Sequence, residues 1–140
     1  MCWGDSRLGN ALFDGKGRCV GMVDWELFSI GDPIRDLAYW LYTDEHFVYA
    51  AGRILDRWPT QAESIAAYEE SAGFSVNRRA LAFYRIFQGY MIVATLARQI
   101  QIRKELGQMA AGLVVDENFT PVSYLQREWD LLCSANDSFT

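Results

Sequence analysis

The chain has 140 residues, of which 51% are hydrophobic and 22% are charged, and this balance fits a folded domain with a core and excludes a disordered segment. Its formal net charge is −5 without a run of basic residues, which argues against nucleic-acid binding because phosphates require clustered Lys and Arg. The cysteines Cys2, Cys19 and Cys133 lie far apart, and His46 is the single histidine, so a disulfide framework or a zinc site is not expected.

Strand-like sequence is confined to the start of the chain. Residues 10–13 and 19–23 are short apolar runs, and the turn between them contains glycines that permit positive φ. We expect a two-stranded antiparallel hairpin. Such pairing brings Asn10, at the start of the first strand, and Asp24, at the end of the second, to one edge, where they could hold a divalent metal.

The first helix is predicted shortly after this hairpin. Asp32 is suited to cap a helix, and Pro33 is favoured at the first helical position. The apolar residues that follow recur at the spacing of one helical face: Ile34, Leu37, Ala38 and Leu41. We expect this helix to lie directly behind the edge that carries Asn10 and Asp24.

Further helices are predicted over the rest of the chain. One has apolar positions at Phe47, Ala50, Ala51, Ile54 and Leu55. Thr60 and Glu63 form a capping box for the next, which ends at Gly73.

The C-terminal half predicts a long helix over residues 78–106 with a basic end, expected to be a central pillar, and a last helix over residues 121–133. Because no repeat or internal linker divides the sequence, we expect a single domain over residues 1–140.

Three short motifs follow one another near the N-terminus. Asp5 and Asn10 have the D-x-x-x-x-N spacing of a kinase catalytic loop, and Asp24 stands where such enzymes keep a metal-binding aspartate. Residues 31–38 then read Gly-Asp-Pro-Ile-Arg-Asp-Leu-Ala. Taken together, these motifs resemble the aminoglycoside phosphotransferase family of small-molecule kinases, also called the phosphotransferase enzyme family. The resemblance is closest to the branch associated with acyl-CoA dehydrogenase domains.

The resemblance implies a fold and a limit on activity. The expected fold is mainly α with a small N-terminal β-hairpin, as in the C-terminal lobe of a protein kinase-like, aminoglycoside phosphotransferase-like α+β fold. Since the motifs begin at the first residues, the N-terminal nucleotide lobe is expected to be absent from this truncated chain. The chain is therefore expected to be inactive or impaired unless that lobe is supplied in trans.

Site roles also follow from the resemblance. Asp5 would orient the substrate hydroxyl or accept its proton, while Asn10 and Asp24 would bind the nucleotide by ligating Mg²⁺ that bridges the ATP phosphates. Each residue alone has a plainer interpretation, since Asp5 could cap a turn and Asn10 could satisfy loop backbone. Glu26 shares a strand face with Asp24 and is either close to the metal or an exposed strand end. Arg7 either meets the transferred phosphate or forms a surface ion pair.

Three residues are expected to support the loop. Asp32 is a helix cap rather than a catalyst, and Asp36 would accept hydrogen bonds from the catalytic-loop backbone. Trp3 stands where the family usually has histidine, and we expect it to serve as a bulky planar anchor.

Two functions of different classes remain at this point. The first is ATP- and magnesium-dependent transfer of phosphate to a hydroxyl of a small molecule. The many aromatic side chains of the protein could line a pocket for an apolar or ring-bearing acceptor. The alternative is a non-catalytic helical module derived from a kinase C-terminal lobe, which binds a substrate or partner and is prone to self-association. A fragment with no independent role is a third reading.

Location and membrane contact are predicted from the absence of targeting features. The N-terminus lacks a basic region followed by an apolar core. The most apolar stretch, residues 86–97, contains Gln88 and is too short to cross a bilayer. We therefore expect a cytoplasmic location and no membrane partner.

Overall fold

The computed structural model describes residues 1–46, 56–109 and 115–137. The chain forms two compact units, Met1–Arg85 and Ile86–Thr140. Its elements are a short 3₁₀ turn, Leu8–Asn10, two strands, β1 (Ala11–Phe13) and β2 (Cys19–Met22), and four helices, α1 (Ile34–Asp44), α2 (Gln61–Ala72), α3 (Arg78–Glu105) and α4 (Thr120–Asp137). The predicted fold class, mainly helical with a small N-terminal hairpin, is confirmed.

The hairpin forms where the sequence predicts it. Ala11 lies opposite Met22 in an antiparallel pair, and a bulge follows Leu12. In the turn, the Asp14 carboxylate accepts hydrogen bonds from two backbone N–H groups, and Gly17 adopts a φ of 76° that favours glycine. The turn chemistry therefore sets the register of a pair that is too short to be stable alone.

Helix α1 supplies most of the core of the first unit. The four apolar positions of its predicted face are buried, and they pack with Val76 and Leu81. The Asp32 carboxylate accepts a hydrogen bond of 3.0 Å from the Ile34 N–H, so it caps a helix that begins one residue after Pro33. The predicted helix with apolar positions at residues 47–55 lies outside the described residues.

Helix α2 has the predicted caps. The Thr60 hydroxyl accepts from the Glu63 N–H, the Glu63 carboxylate accepts from the Thr60 N–H at 2.7 Å, and Gly73 ends the helix with a φ of 73°. The Arg85 side chain then donates to Gln61 at 2.7 Å and to Glu45 at 3.1 Å. These bonds join the start of α2 to the end of α1.

Helices α3 and α4 match their predicted positions to within a few residues. Within α3, Leu81, Gln88 and Ile100 are buried, and the large side chains of Phe83 and Tyr90 are exposed. Because α3 crosses the boundary between the two units, the expectation that it forms a central pillar stays a prediction. As a whole, α3 is long and apolar enough to cross a membrane, contrary to the length argument from residues 86–97. Because core helices of soluble proteins share that length and composition, this gives no membrane assignment.

Candidate functional site

The loop that precedes β1 is tied to α1 by one carboxylate. Asp36, in the first turn of α1, accepts hydrogen bonds from the backbone N–H groups of Trp3, at 2.6 Å, and Gly4, at 2.9 Å. The Ser6 hydroxyl donates to the Asp36 carbonyl at 2.7 Å. Asp5 lies between these anchored residues, so α1 sets the position of its backbone.

Trp3 and Gly4 fix the loop against the segment after β2. The Trp3 indole N–H donates to the Val23 carbonyl at 2.8 Å, and its ring lies 5.9 Å from that of Trp25. Gly4 has a φ of 96°, and a Cβ at this position would lie 2.3 Å from the Leu27 carbonyl oxygen. No other residue fits there without a shift of the backbone.

Three donors meet the Asp5 carboxylate. The Asn10 amide nitrogen donates to Oδ2 at 2.8 Å and also to the Asp5 carbonyl at 3.0 Å. The Arg7 Nε lies 3.2 Å from each carboxylate oxygen. The Tyr39 hydroxyl hydrogen-bonds the same carboxylate from α1. The D-x-x-x-x-N spacing thus brings both of its residues into direct contact.

These donors decide the charge of Asp5. Burial raises the pKa of its carboxyl, but the hydrogen bonds from Tyr39 and Asn10 and the charge of Arg7 outweigh it and hold the pKa below the ordinary value. Burial and the Asp5 carboxylate raise the pKa of Tyr39 far above its usual range. At neutral pH, Asp5 is therefore an oriented carboxylate and Tyr39 a neutral donor.

The hairpin brings Asn10 and Asp24 to one edge. The Val23 N–H donates to the Asn10 carbonyl at 2.9 Å, which places Asp24 one residue beyond that contact. The charge of Asp24 contributes to the raised pKa of Tyr39, so the two side chains interact electrostatically. Its φ of 63° is left-handed, a conformation that Asp and Asn adopt more readily than most residues.

Oxygen donors at this edge suit a hard cation such as Mg²⁺. The amide nitrogen of Asn10 is engaged by Asp5, and this orientation leaves its amide oxygen for a ligand. Asp24 and Glu26 are exposed. In the described stretches no three His, Cys, Asp or Glu side chains converge on one point, so the ligand set Asn10, Asp24 and Glu26 stays a prediction.

A comparison with protein-family models decides the family. The model described as the phosphotransferase enzyme family matches residues 1–84, which is more than half of the chain. The chain belongs to the phosphotransferase enzyme family. No curated protein matches it. The family match ends one residue before the boundary of the first compact unit, at Arg85, so the family's motifs and the α1 core lie in the same unit.

A cavity of about 210 Å³ adjoins the loop that precedes β1. Its lining comes from the loop, from the last turns of α1 and from Trp58: Arg7, Leu8, Gly9, Trp40, Thr43, Asp44 and Trp58. Arg7 both lines this cavity and contacts Asp5, so the cavity and the Asp5 carboxylate share one neighbour. Both interpretations of Arg7, as an ion pair and as a group that meets phosphate, are compatible with this position.

Sequence reasoning missed two residues beside the loop. Tyr39 belongs to no short motif, although its position three residues after Asp36 places both on one face of α1. Asp44 lies three residues after Leu41, the last apolar residue of the predicted face, and belongs to no local motif. Its burial depends on the loop and on Trp58, which are distant in sequence from one another.

Proposed function

We propose that this chain carries the acceptor side of an ATP- and magnesium-dependent phosphotransferase that acts on a hydroxyl of a small molecule. The observation that carries the proposal is the Asp5 carboxylate, which is oriented by Asn10, Arg7 and Tyr39 and tied to α1 through its neighbours. Phosphoryl transfer needs an oriented acceptor hydroxyl and charge neutralisation more than covalent chemistry.

Asp5 accepts the hydrogen bond of the acceptor hydroxyl and aims its oxygen at the phosphorus. Its lowered pKa makes it a weak base, which suits a loose transition state in which the hydroxyl proton leaves late. Arg7 and Asn10 hold the carboxylate in one orientation, so little of the binding energy is lost to reorganisation.

Asn10 and Asp24, with Glu26 nearby, would hold the magnesium ion. When bound, the ion supplies positive charge that neutralises the phosphate oxygens of ATP. The hairpin supports this assignment because it brings Asn10 and the residue before Asp24 into backbone contact.

Nucleotide binding in this proposal involves a further lobe. The chain corresponds to the C-terminal lobe of a kinase-like enzyme of the branch associated with acyl-CoA dehydrogenase domains, and the nucleotide lobe comes from a longer chain or binds in trans. Exposed apolar residues in the hairpin region, including Phe13, Trp25 and Phe28, offer a surface for that lobe or for self-association. A cytoplasmic location without nucleic-acid or membrane partners remains part of the proposal.

Magnesium-dependent ATP binding tests the proposal. We would measure it by calorimetry on the 140-residue chain and on Asp24→Asn, which removes the charge but suits the left-handed backbone. Asp130→Asn, on the exposed surface of α4, is the matched control. We expect magnesium-dependent binding that is retained in the control and lost in Asp24→Asn. Binding without a magnesium requirement or equal binding to both variants would contradict the metal assignment. No binding would assign nucleotide binding to the further lobe.

A further inference from the structure

We propose that the cavity beside Asp5 is the acceptor pocket and that Asp44 recognises a hydrogen-bond donor on a small, mainly apolar, ring-sized alcohol. The inference rests on the proposed phosphotransfer to a small-molecule hydroxyl. It goes further by naming the acceptor's chemical class and a residue that selects it.

The position of the cavity is the first argument. Arg7, Leu8 and Gly9 form one part of its lining, and these residues lie between Asp5 and Asn10 in the loop. The Arg7 guanidinium contacts the Asp5 carboxylate at 3.2 Å. Because Arg7 also lines the cavity, a molecule bound there would be separated from Asp5, the residue that would orient its hydroxyl, by the Arg7 side chain alone.

The hydrogen-bonding state of Asp44 is the second argument. Asp44 is buried, with 6% of its surface exposed. Its Oδ1 accepts from the Trp58 indole N–H at 2.9 Å, whereas Oδ2 is buried and has no hydrogen-bond partner within the described part of the chain. Leaving a buried acceptor without a partner costs about 1–3 kcal/mol of free energy. A ligand that donates a hydrogen bond to Oδ2 would remove this cost and bind more tightly.

The neighbouring polar group in the lining is already engaged. The Thr43 hydroxyl donates to the carbonyls of Tyr39, at 2.9 Å, and Trp40, at 3.1 Å. A second cavity, of about 280 Å³, is lined in part by Asp36 and Ser6, whose polar atoms hold the catalytic loop. Among the described residues that line the first cavity, Asp44 therefore offers a buried hydrogen-bond acceptor that is still unused.

Size and lining define the rest of the acceptor. A volume of about 210 Å³ lies below the roughly 300–1,000 Å³ typical of pockets for drug-sized ligands, which favours a small acceptor with one ring. The indole rings of Trp40 and Trp58 favour an apolar or aromatic body. The fitting molecule is a one-ring alcohol with a donor at its far end, either a hydroxyl or an ammonium group.

Matched probes test this assignment. We would titrate the chain, without ATP or magnesium, with benzyl alcohol, para-hydroxybenzyl alcohol, para-(aminomethyl)benzyl alcohol and para-carboxybenzyl alcohol. The readout is the NMR shift of the Trp58 indole N–H. We expect at least one donor-bearing probe to bind about tenfold to a hundredfold more tightly than benzyl alcohol, and the carboxylate probe to bind more weakly. Which donor wins decides between a neutral and a cationic acceptor.

Two variants make the test specific to this pocket. Asp44→Asn keeps an oxygen for Trp58 but presents an N–H₂ group in place of Oδ2, so the preference for donor-bearing probes should disappear, whereas Asp130→Asn should retain it. Trp40→Leu keeps Asp44 and should weaken all probes by a similar factor, which keeps the test decisive if Asp44→Asn does not fold.

Several outcomes would overturn the inference. These are equal binding of benzyl alcohol and the donor-bearing probes, no binding of any probe at millimolar concentration, a preference that persists in Asp44→Asn, and binding unchanged in Trp40→Leu. Because nucleotide and magnesium are left out, these outcomes are independent of the ATP-binding test. The acceptor assignment and the metal assignment can therefore fail separately.

Discussion

At the scale of single residues, three aspartates of the first unit have different hydrogen-bond partners and therefore different properties. Asp36 accepts two backbone N–H groups and holds the loop. Asp5 receives Arg7, Asn10 and Tyr39 and remains charged. Asp44 is buried against Trp58 with one oxygen lacking a described partner. The number and kind of donors around a carboxylate therefore decide whether it anchors backbone, stays charged or keeps an unused acceptor.

Asp36→Asn is expected to destabilise the chain by about 1–3 kcal/mol, because an amide can accept only one of the two loop N–H groups and turns a donor toward the other. Urea unfolding followed by tryptophan fluorescence measures the change. Asp32→Asn is the matched control, since asparagine caps helices as well as aspartate does. Equal stability of the two variants would contradict the anchoring role of Asp36.

Asp44 is expected to make stability depend on pH. Burial raises the pKa of its carboxyl, the Trp58 hydrogen bond opposes this, and the charge of Glu45 adds to the rise. The folded chain therefore holds the proton to a higher pH than the unfolded chain, whose ordinary value is 3.8. Its contribution to stability is full below that value and is lost as pH rises through the folded pKa.

Asp44→Asn has no carboxyl at this position, so it does not lose stability through its ionisation as the pH rises. The free energy of unfolding of the variant, relative to the wild type, should therefore be more favourable at neutral pH than below pH 3.8. Urea titrations of both proteins across that range measure it. A difference that stays constant with pH would show that the carboxyl titrates as it does in the unfolded chain.

At the scale of elements, local sequence signals specify most boundaries. The capping box and Gly73 define both ends of α2, although none of its side chains is fully buried. Helix α1, by contrast, buries one whole face in the core. A helix without a buried face depends more on its caps, because packing contributes less to its stability.

Thr60→Ala is expected to cost about 1 kcal/mol, because the Glu63 N–H loses its acceptor at the start of α2. Hydrogen exchange of the α2 amides measures the effect, which should be largest in the first turn. Thr60→Ser retains the hydroxyl and is the control. Unchanged protection in Thr60→Ala would mean that packing, rather than the cap, holds the helix start.

At the scale of the whole molecule, the family match and the first compact unit coincide. The match covers residues 1–84, and the unit comprises Met1–Arg85. That unit contains the hairpin, α1, α2 and every candidate site residue, whereas the second begins within α3. The single domain expected over residues 1–140 stays a prediction.

Leu41→Ala tests how far the two units are coupled. Leu41 is fully buried in the core of the first unit, so its truncation should cost about 2–5 kcal/mol. We expect faster hydrogen exchange in α1 and α2 and little change in α4, measured by mass spectrometry. Equal acceleration in α4 would show that the whole chain unfolds as one cooperative unit.

Sequence reasoning reached the elements whose signals are local and missed contacts that are not. The hairpin turn, the Asp32 cap and the α2 capping box each depend on groups within a few residues of one another. The apolar composition of α3 predicts a helix but does not say which of its faces a neighbour covers. The predicted loop residues lie together, but Tyr39 and Asp44 enter the site through helix geometry and distant partners.

The helical class, the hairpin and the order of the phosphotransferase motifs follow from the amino-acid sequence, because backbone capping, turn chemistry and helical periodicity act over short distances along the chain. The charge of Asp5, the three contacts by which Asp36 holds the loop, and the cavity with its unsatisfied Asp44 oxygen arise only when the chain folds. The physical reason is that burial and hydrogen-bond partners set a carboxylate's behaviour, and both are supplied by residues far away in sequence.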